Sequence, residues 1–285
     1  MSLNRPMTLG RIDYANAWPI FHELERYTSG FGGGQVETVK AVPARLSQLL
    51  QSGELDVSAI SSFSYGLNAK RYILLPELSV GSVGKVNSIL LFSKQPIDQV
   101  QPQKIAVTTA SLTSVNLLKV LMALYYKYEP EYVPAEPVLE AMLEHSDAAL
   151  IIGDPAIHAA WSHAGYEVTD LGELWNSWTG LGMTYAVVAA TKETAEAAPE
   201  ELGAVREAML ACKTHNQNNL GQLSAYACEQ LGGERAYWDM YFRSLQYDFG
   251  DKLKDGLLLY FRYCKQLGLL EHDVELHFLE EQSAQ

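Results

Sequence analysis

Short apolar runs alternate with amphipathic stretches along the first two thirds of the chain, and the last third has helical spacing throughout. Residues 9–13 predict a first strand, and Tyr14, Ala15, Asn16, Ala17 and Trp18 a polar-aromatic turn. Pro19 suits the first turn of a helix running to about Arg26. Residues 36–41 alternate as a strand does, 43–51 form an amphipathic helix stopped by Gly53, and 56–60 are a buried strand followed at once by Ser61, Ser62 and Ser64. Residues 72–75 and 88–92 predict further strands, with a glycine-rich loop at 81–84 between them. A short apolar strand at 105–107 leads through a Thr/Ser-rich turn at 108–114 into a long apolar helix at 115–126. Residues 138–144 predict a helix and 148–152 a strand. Gly153, Asp154 and Pro155 then read as a tight turn, an N-cap and a proline at the first position of a helix to about His163. Residues 166–170 are short and extended, 175–182 an irregular loop, and 183–190 a strand. Four helices follow, at 199–214, 220–231, 234–245 and 253–267; Gly268 stops the last, and 280–285 predict a frayed tail.

Strands that alternate with helices imply an α/β fold with a parallel sheet. Two long strands, near 88–93 and 183–190, bracket a middle block. This predicts two lobes, with the chain crossing out and back: lobe one from 7–93 plus 189–285, including the C-terminal helices, and lobe two from 94–188.

Composition narrows the function. The 285 residues are 48% hydrophobic, enough for one large domain or two lobes with a real core. With 21 basic against 34 acidic residues the net charge is −13, and no basic run is dense enough for a nucleic-acid face. Cysteines stand at 212, 228 and 264 with no CxxC, which predicts reduced, buried thiols and a cytoplasmic protein. Residues 1–8 lack the apolar segment of a signal peptide, and apolar runs such as 89–92 are too short to span a bilayer, so no membrane partner is expected. The cluster Gly30, Gly32, Gly33, Gly34 is no phosphate loop, because no strand enters it and no GK[ST] leaves it.

Candidate chemistry concentrates at four junctions of one form, strand then small polar residues then helix. They are Tyr14-Ala15-Asn16, Ser61-Ser62, Thr109 to Ser114, and Gly153-Asp154. Ligands of open parallel sheets sit beyond the carboxyl ends of the strands, and free N–H groups at helix starts suit an anion. Ser111 or Thr113 can cap the helix after the third junction. If two lobes face each other, all four junctions line the gap and hold a small carboxylate without any lysine cluster. Asp154 reads first as an N-cap and second as an acid or base. His158, His215, His272 and His277 are isolated, and no HExxH or CxxC is present, so neither a metal nor a cofactor is expected. Ser61, Ser62 and Ser111 lack a GxSxG context. The segment with Trp175, Trp178, Thr179 and Gly180 is either a lid or an aromatic loop packing the lobes. Tyr237, Trp238, Tyr241, Tyr260 and Phe261 read as core.

Residues 10–19 (GRIDYANAWP), 53–62 (GELDVSAISS), 84–94 (GKVNSILLFSK), 108–118 (TTASLTSVNLL), 149–156 (ALIIGDPA), 170–180 and 256–270 together resemble, in collinear order over nearly the whole chain, the chorismate dehydratase family of the futalosine route to menaquinone. The resemblance implies a two-lobed, periplasmic-binding-protein-like fold of the second type with a central cleft. It implies a hydro-lyase that takes chorismate to 3-(1-carboxyvinyloxy)benzoate and water without a cofactor, as a monomer or homodimer. By the same resemblance Asn16 would orient the enolpyruvyl side chain, while Ser88 and the amides around Ser111 to Ser114 would hold carboxylates. The proton acceptor is either the substrate's own enolpyruvyl carboxylate or Asp154, which can also protonate the leaving hydroxyl. Ala15 stands where the family has Leu, Gly182 where it has Pro, and the glycines at 30–34 look like an insertion. The rival readings are the sister enzyme that cleaves a cyclic futalosine derivative and a non-enzymatic binding protein for a small carboxylate.

Overall fold

The computed structural model describes residues 5–28, 36–162 and 165–280. The glycine cluster at 30–34 and residues 281–285 of the expected tail lie outside them. Strand β1 (Met7–Ile12) enters a 3-10 turn at Ala15–Ala17 and two four-residue helices, α1 (Trp18–Phe21) and α2 (Glu25–Thr28). The sequence predicts one helix there. It is interrupted because Glu23 takes the left-handed conformation, φ 60°. Then come β2 (Val36–Ala41), α3 (Pro43–Ser52), β3 (Val57–Ser61) and α4 (Ser62–Asn68). Gly53 ends α3 at φ 78°, its N–H closing on the carbonyls of Leu49 and Leu50.

Strand β4 (Tyr72–Ser82) takes in the first two residues of the loop expected at 81–84. It tolerates the extra length through a bulge, where Glu77 has φ 62° and the buried Lys213 donates to its carbonyl at 2.8 Å. Next are β5 (Ile89–Ser93), α5 (Ile97–Val100), β6 (Lys104–Thr108) and α6 (Leu112–Val120), which widens into a π turn at Leu121–Tyr126. Strand β7 (Glu131–Ala135) is not predicted from the sequence, because it is a half-exposed edge carrying Pro134 and lacks an apolar run. After α7 (Leu139–Glu144), β8 (Ala148–Ile152), α8 (Asp154–Ser162) and β9 (Glu167–Asp170), the stretch expected as an irregular loop is mostly helix, α9 (Leu171–Thr179). Strand β10 (Met183–Thr191) leads to α10 (Lys192–Ala197), α11 (Pro199–Asn218), α12 (Leu220–Leu231), α13 (Arg235–Ser244), the short β11 (Leu245–Gln246) and α14 (Asp251–Gln266).

The strands form two sheets, ordered β11-β4-β10-β3-β1-β2 and β7-β6-β8-β5-β9. The parallel expectation holds for β1 with β2 and β3, and for β6 with β7 and β8. It fails for β10, antiparallel to β3 and β4, and for β5, antiparallel to β8 and β9. These two are strands the chain lays down on crossing between sheets, and the short β11 is also antiparallel to β4. By sheet membership the crossings fall after Ser82 and before Met183. Strand Ile89–Ser93, expected in lobe one, is therefore in the second sheet, and Met183 to Val188, expected in lobe two, are in the first.

Asp170 ties the two crossings together. Its carboxylate accepts N–H groups of Val86 (3.1 Å) and Asn87 (2.7 Å) from the outward crossing. It also caps α9 on the return by accepting from Gly172 (2.9 Å) and Glu173 (3.1 Å). One large core runs through both sheets, and a smaller one, built on Leu90, Phe92, Ala106 and Ile151, fills the far face of the second.

Candidate active site at the junction of the two sheets

The first and fourth junctions meet. Tyr14, Ala15 and Asn16 follow β1, and Gly153 and Asp154 follow β8. Gly153 has φ 67°, and a Cβ on it would stand 2.8 Å from the Tyr14 ring, so the ring lies directly on the glycine. Asp154 does not cap its own helix, as the sequence suggests. It is the first residue of α8, and the Gly153 carbonyl takes the N–H groups of Ala156 and Ile157 instead. The Asp154 carboxylate reaches across to the first sheet and accepts the Ala15 N–H at 3.0 Å. Burial pushes its pKa up to about 6, against the pull of the Ala15 N–H and of His158; Asp13 adds to the rise. Tyr14 is pushed up to about 12, by burial first and then by Asp154 and Asp13. Beside them the side-chain oxygen of Asn16 is enclosed with no hydrogen-bond partner among the described residues.

The second and third junctions also meet, and their side chains are taken up by bonds within the protein. Ser61 Oγ accepts the Ser64 N–H at 3.2 Å and lies 2.7 Å from the Ser64 hydroxyl. Ser62 donates to the Thr184 carbonyl at 2.8 Å. Ser111 caps α6, accepting the Ser114 N–H at 3.4 Å and the Ser114 hydroxyl at 3.3 Å. Thr113 is no cap; its hydroxyl accepts the N–H of Phe63 from the other sheet's α4 at 2.9 Å. Ala44 donates to the Ala110 carbonyl at 3.1 Å, a second link between the sheets. Thr109 is exposed.

Ser88 joins the first pair of junctions. Its carbonyl accepts the Gly153 N–H at 2.8 Å, and its hydroxyl lies 3.3 Å from the Val86 carbonyl and receives the Tyr241 hydroxyl at 2.9 Å. Thr179 is not brought to the junctions: it donates to the Trp175 carbonyl at 2.8 Å and accepts the Leu181 N–H at 3.2 Å. Trp175 is fully buried and donates to the Gly182 carbonyl at 3.0 Å, so this segment packs and is not a free loop. The departure at 182 has a use, since the Gly182 N–H donates to the Lys252 carbonyl at 3.2 Å, a bond proline lacks. Ala15 is fully buried.

Helix α8 is held at its far end too. His158 Nε2 is 2.9 Å from the Leu231 carbonyl, and the Trp161 ring covers Gly233 and meets Tyr237 and Trp238 edge-on. The sequence reading leaves Tyr14 and Tyr241 without a role at the site. Tyr241 sits 153 positions from Ser88, in a helix whose aromatic spacing signals only core. Among the described residues no three His, Cys, Asp or Glu side chains gather as a metal would need. Cys212 and Cys264 are buried free thiols, while Cys228 is half-buried. A groove of about 1130 Å³ between α10, α11 and residues 278–280 touches none of the four junctions.

Comparison with solved structures gives the fold its kinship. The periplasmic aliphatic sulphonate binding protein of Escherichia coli superposes with a TM-score of 0.69 over 99% of this chain and 96% of its own, at 14% identity. The fold is thus periplasmic-binding-protein-like. A chorismate dehydratase of Thermus thermophilus is 36% identical over 228 residues, 71% of this chain and 80% of that protein. A 1,4-dihydroxy-6-naphtoate synthase of the same organism is 23% identical over 231 residues, 79% and 81% of the two chains. A family model described as menaquinone biosynthesis matches residues 7–266, the two sheets and all four junctions included, and the chain belongs to that family.

Proposed function

We propose that this protein is a chorismate dehydratase, a hydro-lyase acting in menaquinone biosynthesis. The observation that carries the reading is its 36% identity to the Thermus thermophilus enzyme over most of both chains. The geometry is consistent with it: one carboxyl group, Asp154, is raised to about 6, and the enclosed, unpartnered Asn16 oxygen can accept the hydrogen bond of the substrate's C4 hydroxyl. The substrate sits between the four junctions, the two sheets forming the two lobes. Ser88, Gly153 and the capped start of α6 at Ser111 and Ser114 hold the carboxylates. Ser61, Ser62 and Thr113 shape the wall from behind, and Thr109 stands at its solvent side.

The reaction asks for two movements. The proton leaves ring C3, its electron pair forms the C3–C4 double bond, and hydroxide departs from C4 with a second proton as water. The enolpyruvyl carboxylate of the substrate takes the C3 proton, and Asn16 fixes its approach. Asp154, with a pKa near 6, gives a proton to the departing hydroxyl and recovers one from solvent. Aromaticity of the product drives the step, so no cofactor is called for.

The test is incubation of the purified protein with chorismate alone, followed by mass spectrometry. A product lighter by one water, still carrying the enolpyruvyl ether, is expected; unchanged chorismate overturns the reading. The 23% identity to the naphtoate synthase favours a second reading, cleavage of a cyclic futalosine derivative, and turnover of that compound in place of chorismate would establish it.

A further inference from the structure

We propose that Tyr241 is a positioning residue that aims the Ser88 hydroxyl at a carboxylate of the substrate, so that a C-terminal helix completes the site. The proposal rests on the chorismate reading. The Tyr241 hydroxyl donates to Ser88 Oγ at 2.9 Å, and both residues are 0% exposed. The Ser88 carbonyl is committed to the Gly153 N–H at 2.8 Å, where strand β5 begins at the next residue. The Ser88 hydroxyl proton is given to the Val86 carbonyl over a long 3.3 Å. A long bond to a neutral carbonyl two residues back is weaker than one to a charged acceptor and can be exchanged for it. With Tyr241 donating into its oxygen, Ser88 has no option but to donate outward, and each bond in such a chain strengthens the next.

The phenol itself is held in place. Its ring stacks on Tyr237, with centroids 6.1 Å apart and planes 9° off parallel, and meets Trp238 edge-on. Trp238 is anchored in turn by donation to the Gly232 carbonyl at 2.8 Å. Burial keeps the Tyr241 hydroxyl protonated far beyond any working pH, so its role as donor does not switch. A purely structural need for a partner does not explain the pairing. The neighbouring Tyr247 hydroxyl is as deeply enclosed and has no partner among the described residues.

Steady-state kinetics with chorismate tests this in four proteins: intact, Tyr241→Phe, Ser88→Ala and the double variant. Tyr241→Phe keeps the ring and removes one hydroxyl. Its KM should rise about 3- to 10-fold, the worth of one hydrogen bond, with kcat within about twofold. In the Ser88→Ala background the same change should leave KM where Ser88→Ala alone put it. An unchanged KM in Tyr241→Phe, or an equal rise in both backgrounds, overturns the proposal and leaves the dehydratase reading standing. No turnover by the intact protein overturns that reading, and this proposal with it. Should Tyr241→Phe fail to fold, 3-fluorotyrosine at 241 keeps the hydroxyl and makes it a stronger donor. KM should then fall, and a KM equal to that of the intact protein overturns the proposal.

Discussion

At the residue scale the proposed mechanism divides the work between Asn16 and Asp154. A buried polar oxygen without a partner costs about 1–3 kcal/mol, and a protein bears that cost where a ligand restores the bond. Asn16→Ala should leave thermal unfolding almost unchanged and lower kcat about 100-fold, as expected for a lost positioning contact. Circular dichroism melts and chorismate turnover check both halves; full activity would remove Asn16 from the mechanism. Asp154 offers a test by pH. Its folded pKa, about 6, lies above its ordinary value, so the folded state binds this proton more tightly than the unfolded chain does. Its contribution to stability is present below about pH 4 and lost as pH rises through about 6. As a proton donor it gives a kcat that falls above the same pH. Asp154→Asn still accepts the Ala15 N–H but has no proton to give, so it should flatten both profiles and lower kcat about 100-fold or more. A falling limb that survives in Asp154→Asn assigns the donor elsewhere.

Elements show which parts of this architecture are legible in the sequence and which are not. Strand β8 is a continuous apolar run closed by Gly153, and β3 is a short, wholly buried run of small and apolar residues closed by Ser61 and Ser62; runs of that length have few alternatives. α9 is missed because Asn176, Ser177, Thr179 and Gly180 have the composition of a loop. Its true signals are Asp170 as an N-cap and the i, i+4 pair Leu171 and Trp175. The four polar junctions are visible, since each is local. Their pairing is not, because Ala15 meets Asp154 across 139 positions and Phe63 meets Thr113 across 50. Asp170 is the element-scale counterpart of these contacts, as one carboxylate serves four N–H groups from two chain crossings. Asp170→Ala should cost about 2–5 kcal/mol, because several buried donors lose their acceptor at once. Urea unfolding measures it, and a loss under about 1 kcal/mol would mean that water or neighbouring carbonyls replace the carboxylate.

Seen whole, the molecule has two sheets joined by two adjacent crossings and bridged again at the carboxyl ends of their strands. One bridge does more than join. Helix α8 belongs to the second sheet by connection, yet Asp154 at one end and Trp161 at the other both press on elements of the first. If Asp154 is the proton donor proposed above, the residue that fastens this strap to the first sheet is also the one that loses a proton in each turnover. An ionised acceptor holds an N–H roughly twice as firmly as a neutral one. On that reading the chemical step would strengthen this fastening, and the slow part of each cycle would fall after the ring has become aromatic. Rapid mixing with chorismate should show a burst of product equal to the enzyme present, whereas product growing linearly from the first turnover would place the wait before the chemistry. Trp161→Ala, which loosens the other end of the strap, should quicken the steady phase and leave the burst alone. The enzyme would then work as a turnstile, locked by the passage it has just allowed.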